Sequence, residues 1–188
     1  MERIQKLSIY FITFFNFLIY LLPISIIFEW CILNTPLMKS VIIENLFQQY
    51  VQTPLGFVKL SSVTWTPLTK IIKLVGDSIK ILPFFLSLFA LKSIFKNYLK
   101  GDIFKFTNAY QYRYLGLLLF LDALIAKPIG NMFNVLAVTL SNPKGLRYIS
   151  ITIGTPSFKA LFCGAIVIVI SWVILEAGKL NEERKLTI

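Results

Sequence analysis

The fold is decided by "LSIYFITFFNFLIYLLPISIIF", the run from Leu7 to Phe28, which holds 22 residues and no charged side chain. A helix needs about 20 apolar residues to cross a bilayer, so this run predicts a membrane-spanning helix. A cleaved signal peptide has a shorter apolar region and a small-residue cleavage site. This run is longer and leads into Glu29-Trp30-Cys31. We therefore expect an uncleaved signal-anchor helix, with Pro23 as a kink.

Three further apolar regions follow. "FKALFCGAIVIVISWVILE", from Phe158 to Glu176, is long enough to span alone. "ILPFFLSLFAL" at 81–91 is too short, so it either extends backwards through Lys80 and Asp77 or forms a buried re-entrant piece. We favour the longer helix. The four expected spans are, in chain order, about 7–28, 68–95, 114–140 and 158–176. They predict an all-α membrane fold: one domain over 1–188, built as a four-transmembrane-helix bundle.

The charge distribution predicts the orientation of that bundle. The net charge is +10, which in a soluble protein would suggest nucleic-acid binding. Only 15% of the residues are charged, however, and 56% are hydrophobic, so the positive-inside rule explains the excess without direct nucleic-acid binding. Ten Lys and Arg residues lie on the side of the two termini and five on the other side. Both termini are therefore expected to be cytoplasmic, in the bacterial cytoplasmic (inner) membrane.

The segments on the opposite side are not plain loops. "GFVKLSSVTW" and "LRYISITIG" are rich in β-branched residues and partly alternate between apolar and polar. They predict two short strands that pair with each other and cover the mouth of the bundle. The alternative is a small extracytoplasmic cap that binds a ligand.

Polar side chains interrupt the second and third spans, where each ionisable group costs a few kcal/mol. The two spans run in opposite directions and place complementary charges at overlapping depths, and Asp77 is also within helical reach of Lys73 and Lys80. We expect an intramembrane polar network that joins spans two and three. Its predicted members are Asp77, Lys80, Asp122, Lys127, Asn131 and Asn134. The network could fix helix pairing, or it could form a proton relay or a polar ligand pocket.

The third span carries a break signal at Pro128, which disfavours the α conformation at Lys127 and removes one helical hydrogen bond. Asn131 and Asn134 could satisfy the freed backbone groups. The span is therefore either kinked and lined by polar groups, or the helix ends near Ala126 and a short second helix begins at Pro128.

The chain has no histidine, which excludes Ser-His-Asp and Cys-His catalysis and histidine metal sites. Two cysteines, Cys31 and Cys163, cannot form a zinc site alone and are expected to be free, buried thiols. The alternative is a disulfide between them, since both are expected near the outer face. We therefore predict a protein that is not an enzyme, with no catalytic residue, no metal site and no cofactor.

The segment between spans two and three mixes basic and aromatic residues, and a short tail follows span four. This composition is typical of interfacial anchoring, in which lysines snorkel and tyrosines lie at headgroup depth. The alternative is a docking surface for anionic lipid or a cytosolic partner. The predicted docking residues are Lys92, Lys96, Lys100, Lys105, Arg113, Glu182 and Glu183.

Several of these features together resemble a known family. They are "GDIFKFTNAYQYRYLG" between spans two and three, the polar third span, "SNPKGLRYISI", and a tail that ends in "EERKLTI". The chain resembles the YoaS-like family of small bacterial integral membrane proteins, a domain of unknown function. The resemblance implies a membrane partner for a small helix-turn-helix regulator, because members are often encoded beside one. We expect a membrane sensor or sequestering partner of such a regulator, with oligomers possible. The alternative is a small transporter or an immunity-type membrane protein that uses the polar bend.

Overall fold

A computed structural model describes residues 2–40, 50–54, 56–142, 147–150 and 157–186. Over these ranges the chain is mainly helical. The α-helices are α1 (Glu2–Ile32), α2 (Pro67–Leu99), α3 (Phe106–Leu121), α4 (Lys127–Leu140) and α5 (Ser157–Leu186). Two strands, β1 (Tyr50–Thr53) and β2 (Gly56–Lys59), lie between α1 and α2. Short 3-10 turns occupy Pro36–Lys39 and Leu60–Ser62.

Four helical stretches are long and apolar enough to cross a membrane: Arg3–Ile32, Pro67–Leu99, Phe106–Leu140 and Phe158–Glu183. The prediction of four spanning helices is confirmed, and the chain is a multi-pass membrane protein. The second span is one long helix rather than a re-entrant piece, because α2 continues through Pro83 without a break. Each helix is longer than its expected span, since polar residues at the ends continue the helical hydrogen bonding beyond the apolar run.

The third span resolves the two alternatives at Pro128. The chain neither stops at Ala126 nor continues as a plain α-helix, because Asp122–Ala126 forms a π-helical segment between α3 and α4. Pro128 then lies in the first turn of α4, where its missing N–H removes no bond that the helix needs. The break signal is therefore absorbed by a wider turn, and helical structure extends from Phe106 to Leu140.

The chain divides into two compact units. Unit A contains Met1–Leu21, Pro83–Ala123 and Thr155–Ile188, and unit B contains Leu22–Leu82 and Leu124–Gly154.

In unit A, aromatic and small residues pack the helices together. Phe95 of α2 contacts Phe11 and Phe15 of α1, with ring centroids 4.7 and 5.6 Å apart. Gly116 of α3 meets Gly164 of α5 so closely that a Cβ at position 116 would lie 2.9 Å from the Gly164 carbonyl oxygen. Close backbone approach at small residues is the usual way that membrane helices gain packing energy.

In unit B, a hydrophobic cluster joins the ends of α1 and α4 and the segment before α2 to the hairpin that β1 and β2 form. It contains Ile32 and Leu33, Met38, Val51, Leu60 and Trp65, and Val135, Ala137 and Val138 of α4. Asn34 has a left-handed backbone with φ of 72°, and its side chain bonds both the carbonyl oxygen and the N–H of Trp65. The chain is thereby turned out of α1 and pinned beside the start of α2.

The strand pairing differs from the prediction. "GFVK" does form a strand, but it pairs antiparallel with Tyr50–Thr53, with Val51 opposite Val58 and Thr53 opposite Gly56. Residues 147–150 have no regular secondary structure, and 151–156 lie outside the described residues. A two-residue hairpin connection closes a much shorter loop than the predicted long-range pairing, so less chain entropy is lost.

The glycine contact in unit A leads to a prediction. Gly116→Ala would place a methyl group 2.6 Å from Ile168 Cγ1 and 2.9 Å from backbone, so the helices must separate. We expect a loss of about 1–3 kcal/mol, typical of overpacking, measured by thermal unfolding in detergent. Ala165→Leu is the control because Ala165 is exposed on α5, next to the Gly164 that Gly116 contacts. Equal stability of both variants would contradict the packing role.

Candidate functional site: a buried charged cluster

Four charged side chains form an alternating row in unit B. Lys73 Nζ donates to Glu29 Oε1 at 2.5 Å and to Asp77 Oδ2 at 2.5 Å. Lys80 Nζ lies 2.7 Å from Asp77 Oδ1. The Lys73 side chain is only 4% exposed, and the other three are 15–18% exposed. With two acids and two bases the row is electrically neutral, as buried charges in a membrane protein must nearly be.

The local sequence explains the alignment. Asp77 follows Lys73 by four residues and precedes Lys80 by three, so all three side chains share one face of α2. Glu29 comes from the last turn of α1 and adds a contact between helices. At about 1.5 Å per residue, Lys73 and Lys80 lie about 9 and 20 Å from the start of α2 at Pro67. The row therefore occupies the half of the span that is nearer to the hairpin.

Asn134 extends the row to α4. Its Nδ2 donates to Asp77 Oδ1 at 2.8 Å, so Asp77 accepts from both lysines and from the amide. The amide is 5% exposed, and its Oδ1 has no hydrogen-bond partner among the described residues. That oxygen faces the backbone of Gly76, where a Cβ would lie 2.5 Å from it.

Two glycines make this contact possible. A Cβ at Gly76 would lie 2.8 Å from the Gly130 carbonyl oxygen, and a Cβ at Gly130 would overlap Lys80 Cγ. The stem of Lys80 thus lies directly over Gly130 of α4. Any larger residue at either position would push α2 and α4 apart and separate Asp77 from Asn134.

A second set of contacts holds α1 to α2 one turn closer to the hairpin. Lys70 Nζ donates to the Leu33 carbonyl oxygen at 2.8 Å, which satisfies one of the free carbonyls at the end of α1. The same ammonium lies 5.9 Å from the centre of the Trp30 ring. Lys70 and Lys73 therefore both bind the end of α1, one through a carbonyl and the other through Glu29.

The structure brings together Asp77, Lys80 and Asn134 of the six residues predicted to form the network. Asp122 begins the π-helical segment and is half-buried, Asn131 is half-buried, and Lys127 is exposed at the start of α4. Their membership of the network stays a prediction. Sequence reasoning missed Glu29, because an acid directly after an apolar run is typical of the membrane boundary. Its spacing from Lys73 along the chain gave no sign of the contact.

The predicted docking residues lie in unit A. Lys96, Lys100, Lys105 and Arg113 are exposed and Lys92 is half-buried. Lys105 makes a weak ion pair with Asp102 at 3.6 Å. Glu182 and Glu183 are exposed on α5, which continues as a helix to Leu186.

The turn between α2 and α3 is held by a buried amide pair. Asn97 Nδ2 donates to Asn108 Oδ1 at 2.6 Å, and Asn108 Nδ2 donates to the carbonyl oxygens of Asp102 and Ile103 at 2.8 Å. Asn108 is fully buried. Two other helices reach this end of unit A. Phe11 in the N-terminal part of α1 contacts Phe95 of α2, and Gly178 near the end of α5 lies against the carbonyl oxygen of Phe104 in the turn.

The described residues contain no group of three or more Asp, Glu, Cys or His side chains that could hold a metal ion. Both cysteines are free, as expected, but they are exposed rather than buried.

The central position of Lys73 can be tested by a double-mutant cycle. Lys73→Met leaves Glu29 and Asp77 without their shared partner, and we expect a loss of about 3 kcal/mol in the free energy of unfolding. Glu29→Gln added to Lys73→Met should restore part of that loss, because it removes one uncompensated charge.

Thermal unfolding in detergent measures the cycle. Lys179→Met is the control, since it breaks an exposed pair with Glu176 and should leave stability unchanged. Strictly additive effects of the two substitutions in unit B would show that Lys73 and Glu29 do not act as a pair.

Comparison with known proteins agrees with this picture of a membrane protein without assigned chemistry. No curated protein and no solved structure matches the chain. One family model matches residues 8–188, so it covers all four spans and the hairpin. Its description carries no YoaS-like name, but it does confirm a family without an assigned activity. The chain belongs to the family described as "Protein of unknown function (DUF2975)".

Proposed function

We propose that this protein is a non-enzymatic protein of the bacterial cytoplasmic membrane that holds a small cytosolic helix-turn-helix regulator at the membrane. The observation that carries the proposal is the exposed basic surface around the turn between α2 and α3. The resemblance noted above supplies the kind of partner.

The turn has the properties of a binding surface rather than of a passive connection. Hydrogen bonds of Asn97 and Asn108 hold the backbone of the turn, so a partner would lose little entropy in ordering the turn when it binds. The hydroxyl groups of Tyr98 on α2 and Tyr112 on α3 are hydrogen-bonded at 2.9 Å, so the two helices are also linked close to the turn. Phe104 and Tyr110 are 50% and 65% exposed, which adds aromatic area to the basic side chains.

Charge indicates how a regulator would be oriented. The exposed lysines attract an acidic surface and repel a basic one. A helix-turn-helix protein reads DNA with a basic face, so its opposite, acidic face would contact the membrane protein. The end of α5 adds Glu182, Glu183 and the 56% exposed Leu180 to the same surface, which would set the register of the partner.

The partner proposal predicts the effect of shortening the tail. Deleting Glu182 to Ile188 should release the regulator into the cytosol while the four spans stay inserted. The charge reversal Lys96→Glu with Lys100→Glu should do the same, because Lys96 is exposed at the end of α2 and Lys100 is exposed at the start of the turn. Membrane fractionation followed by mass spectrometry of what co-purifies with the tagged protein measures both.

Lys159→Glu is the matched control, because Lys159 is exposed at the start of α5, away from the turn. An unchanged regulator distribution in the deletion and in the double reversal would overturn the docking surface.

A small transporter or an immunity-type protein is the second candidate. It is favoured by the polar row from Glu29 through Lys73 to Asp77, which lies inside a span and continues to α4 through Asn134. The π-helical segment that begins at Asp122 also favours it, since such segments often accompany functional sites.

Two isosteric substitutions discriminate between the candidates. Asp77→Asn should abolish proton or ion flux in proteoliposomes with the fold intact if the polar row is a path, and Asp122→Asn should do the same if the π-helical segment is part of that path. If the row is structural, Asp77→Asn should instead lower the unfolding temperature, because Lys73 and Lys80 lose the negative charge that they share. Absence of flux in the wild-type protein would remove this candidate.

A further inference from the structure

We propose that the β1–β2 hairpin binds the headgroup layer of the surrounding bilayer through its outward face, with Phe57 as the anchor. This inference is independent of the regulator proposed above. It rests on which side chains the hairpin buries, where it is held, and what it leaves exposed.

The two faces of the hairpin are chemically different. Val51 and Thr53 are each 6% exposed, and Val51 with its cross-strand partner Val58 packs on the hydrophobic cluster of unit B. The opposite face carries the pairs Tyr50–Lys59 and Gln52–Phe57. Phe57 is 73% exposed and Tyr50 is 47% exposed, although apolar residues of this size are usually buried.

The hairpin is held at one end of a span. Its inner face shares a cluster with Val135 and Val138, which precede the last residue of α4 at Leu140. At about 1.5 Å per residue, these contacts lie within the last 8 Å of the helix. The other face of the sheet points away from this cluster, and because the cluster lies at the end of a spanning helix we assign that face to the depth where acyl chains give way to headgroups.

The side chains on that face match this layer. Aromatic rings are enriched at the membrane interface, and a lysine extends its ammonium towards lipid phosphates. Lys59 Nζ lies 6.0 Å from the centre of the Tyr50 ring, so the positive charge and the aromatic ring are already side by side. In the same unit, Leu68 on the first turn of α2 is also exposed, at 63%. A phospholipid headgroup layer therefore fits the whole face better than water does.

A fluorescent probe at position 52, the cross-strand partner of Phe57, tests the proposal while Phe57 itself stays in place. In a background with Cys31→Ser and Cys163→Ser, Gln52→Cys is labelled with an environment-sensitive fluorophore. The protein is inserted at one copy per nanodisc of phosphatidylcholine and phosphatidylglycerol. We expect a blue-shifted emission that brominated lipids quench and aqueous iodide does not. Adding Phe57→Ser should abolish the blue shift, because it removes the anchoring ring. The fold should stay intact, because the Phe57 side chain makes little contact with it.

Two control positions calibrate the signal. Phe162→Cys, 69% exposed on α5, should be quenched by brominated lipid, and Lys100→Cys, exposed on the α2–α3 turn, should be quenched by iodide. Iodide quenching at position 52 would overturn the proposal. A blue shift that appears only with two copies per nanodisc would also overturn it, in favour of pairing between hairpins of two chains.

Discussion

Unit B depends on the two ion pairs that the Lys73 ammonium makes with Glu29 and Asp77. A lysine this deeply buried in a spanning segment is tolerated only when its charge is compensated within hydrogen-bonding distance. Because one of its partners is on α1 and the other on α2, the need for compensation fixes the two helices against each other. Asp77 then passes the constraint to α4 through Asn134. One unavoidable electrostatic requirement thus determines the relation of three helices.

The constraint can be met only because the backbone permits it. Gly76 and Gly130 let α2 and α4 approach until the side-chain amide of Asn134 reaches Asp77, and the absence of a Cβ at Gly130 leaves space for the stem of Lys80. In unit A a comparable approach of Gly116 to Gly164 carries no charged group and serves packing alone. Small residues are therefore the common means, and the charged row is what distinguishes unit B.

Much of the fold was predictable, because membrane insertion leaves a strong signal in the sequence. Four apolar runs gave four spans, and the spacing of Asp77 and Lys80 gave their ion pair. Glu29 and the hairpin register were not predictable in the same way. The contact of Glu29 with Lys73 joins residues 44 positions apart, and no periodicity reports such a contact. "GFVK" was recognised as a strand, but alternation of side chains does not say which neighbour it pairs with. The π-helical segment was foreshadowed only as a break at Pro128, since a wider turn and a helix end have the same sequence signal.

The two polar systems of the chain differ in a way that bears on function. The row in unit B has equal numbers of acids and bases, is closed by Asn134, and leaves its groups little exposed. The turn in unit A carries more exposed bases than acids, and a hydrogen-bonded pair of amides holds its backbone. A neutral, buried cluster stabilises a particular helix arrangement, whereas an ordered surface with excess charge attracts a partner of opposite charge. The regulator proposal needs both: a region whose arrangement depends on a few strong bonds within a span, and a surface to which the regulator would bind. The regulator proposal assigns the second region its partner, and the flux experiment asks whether the first does more than hold helices together.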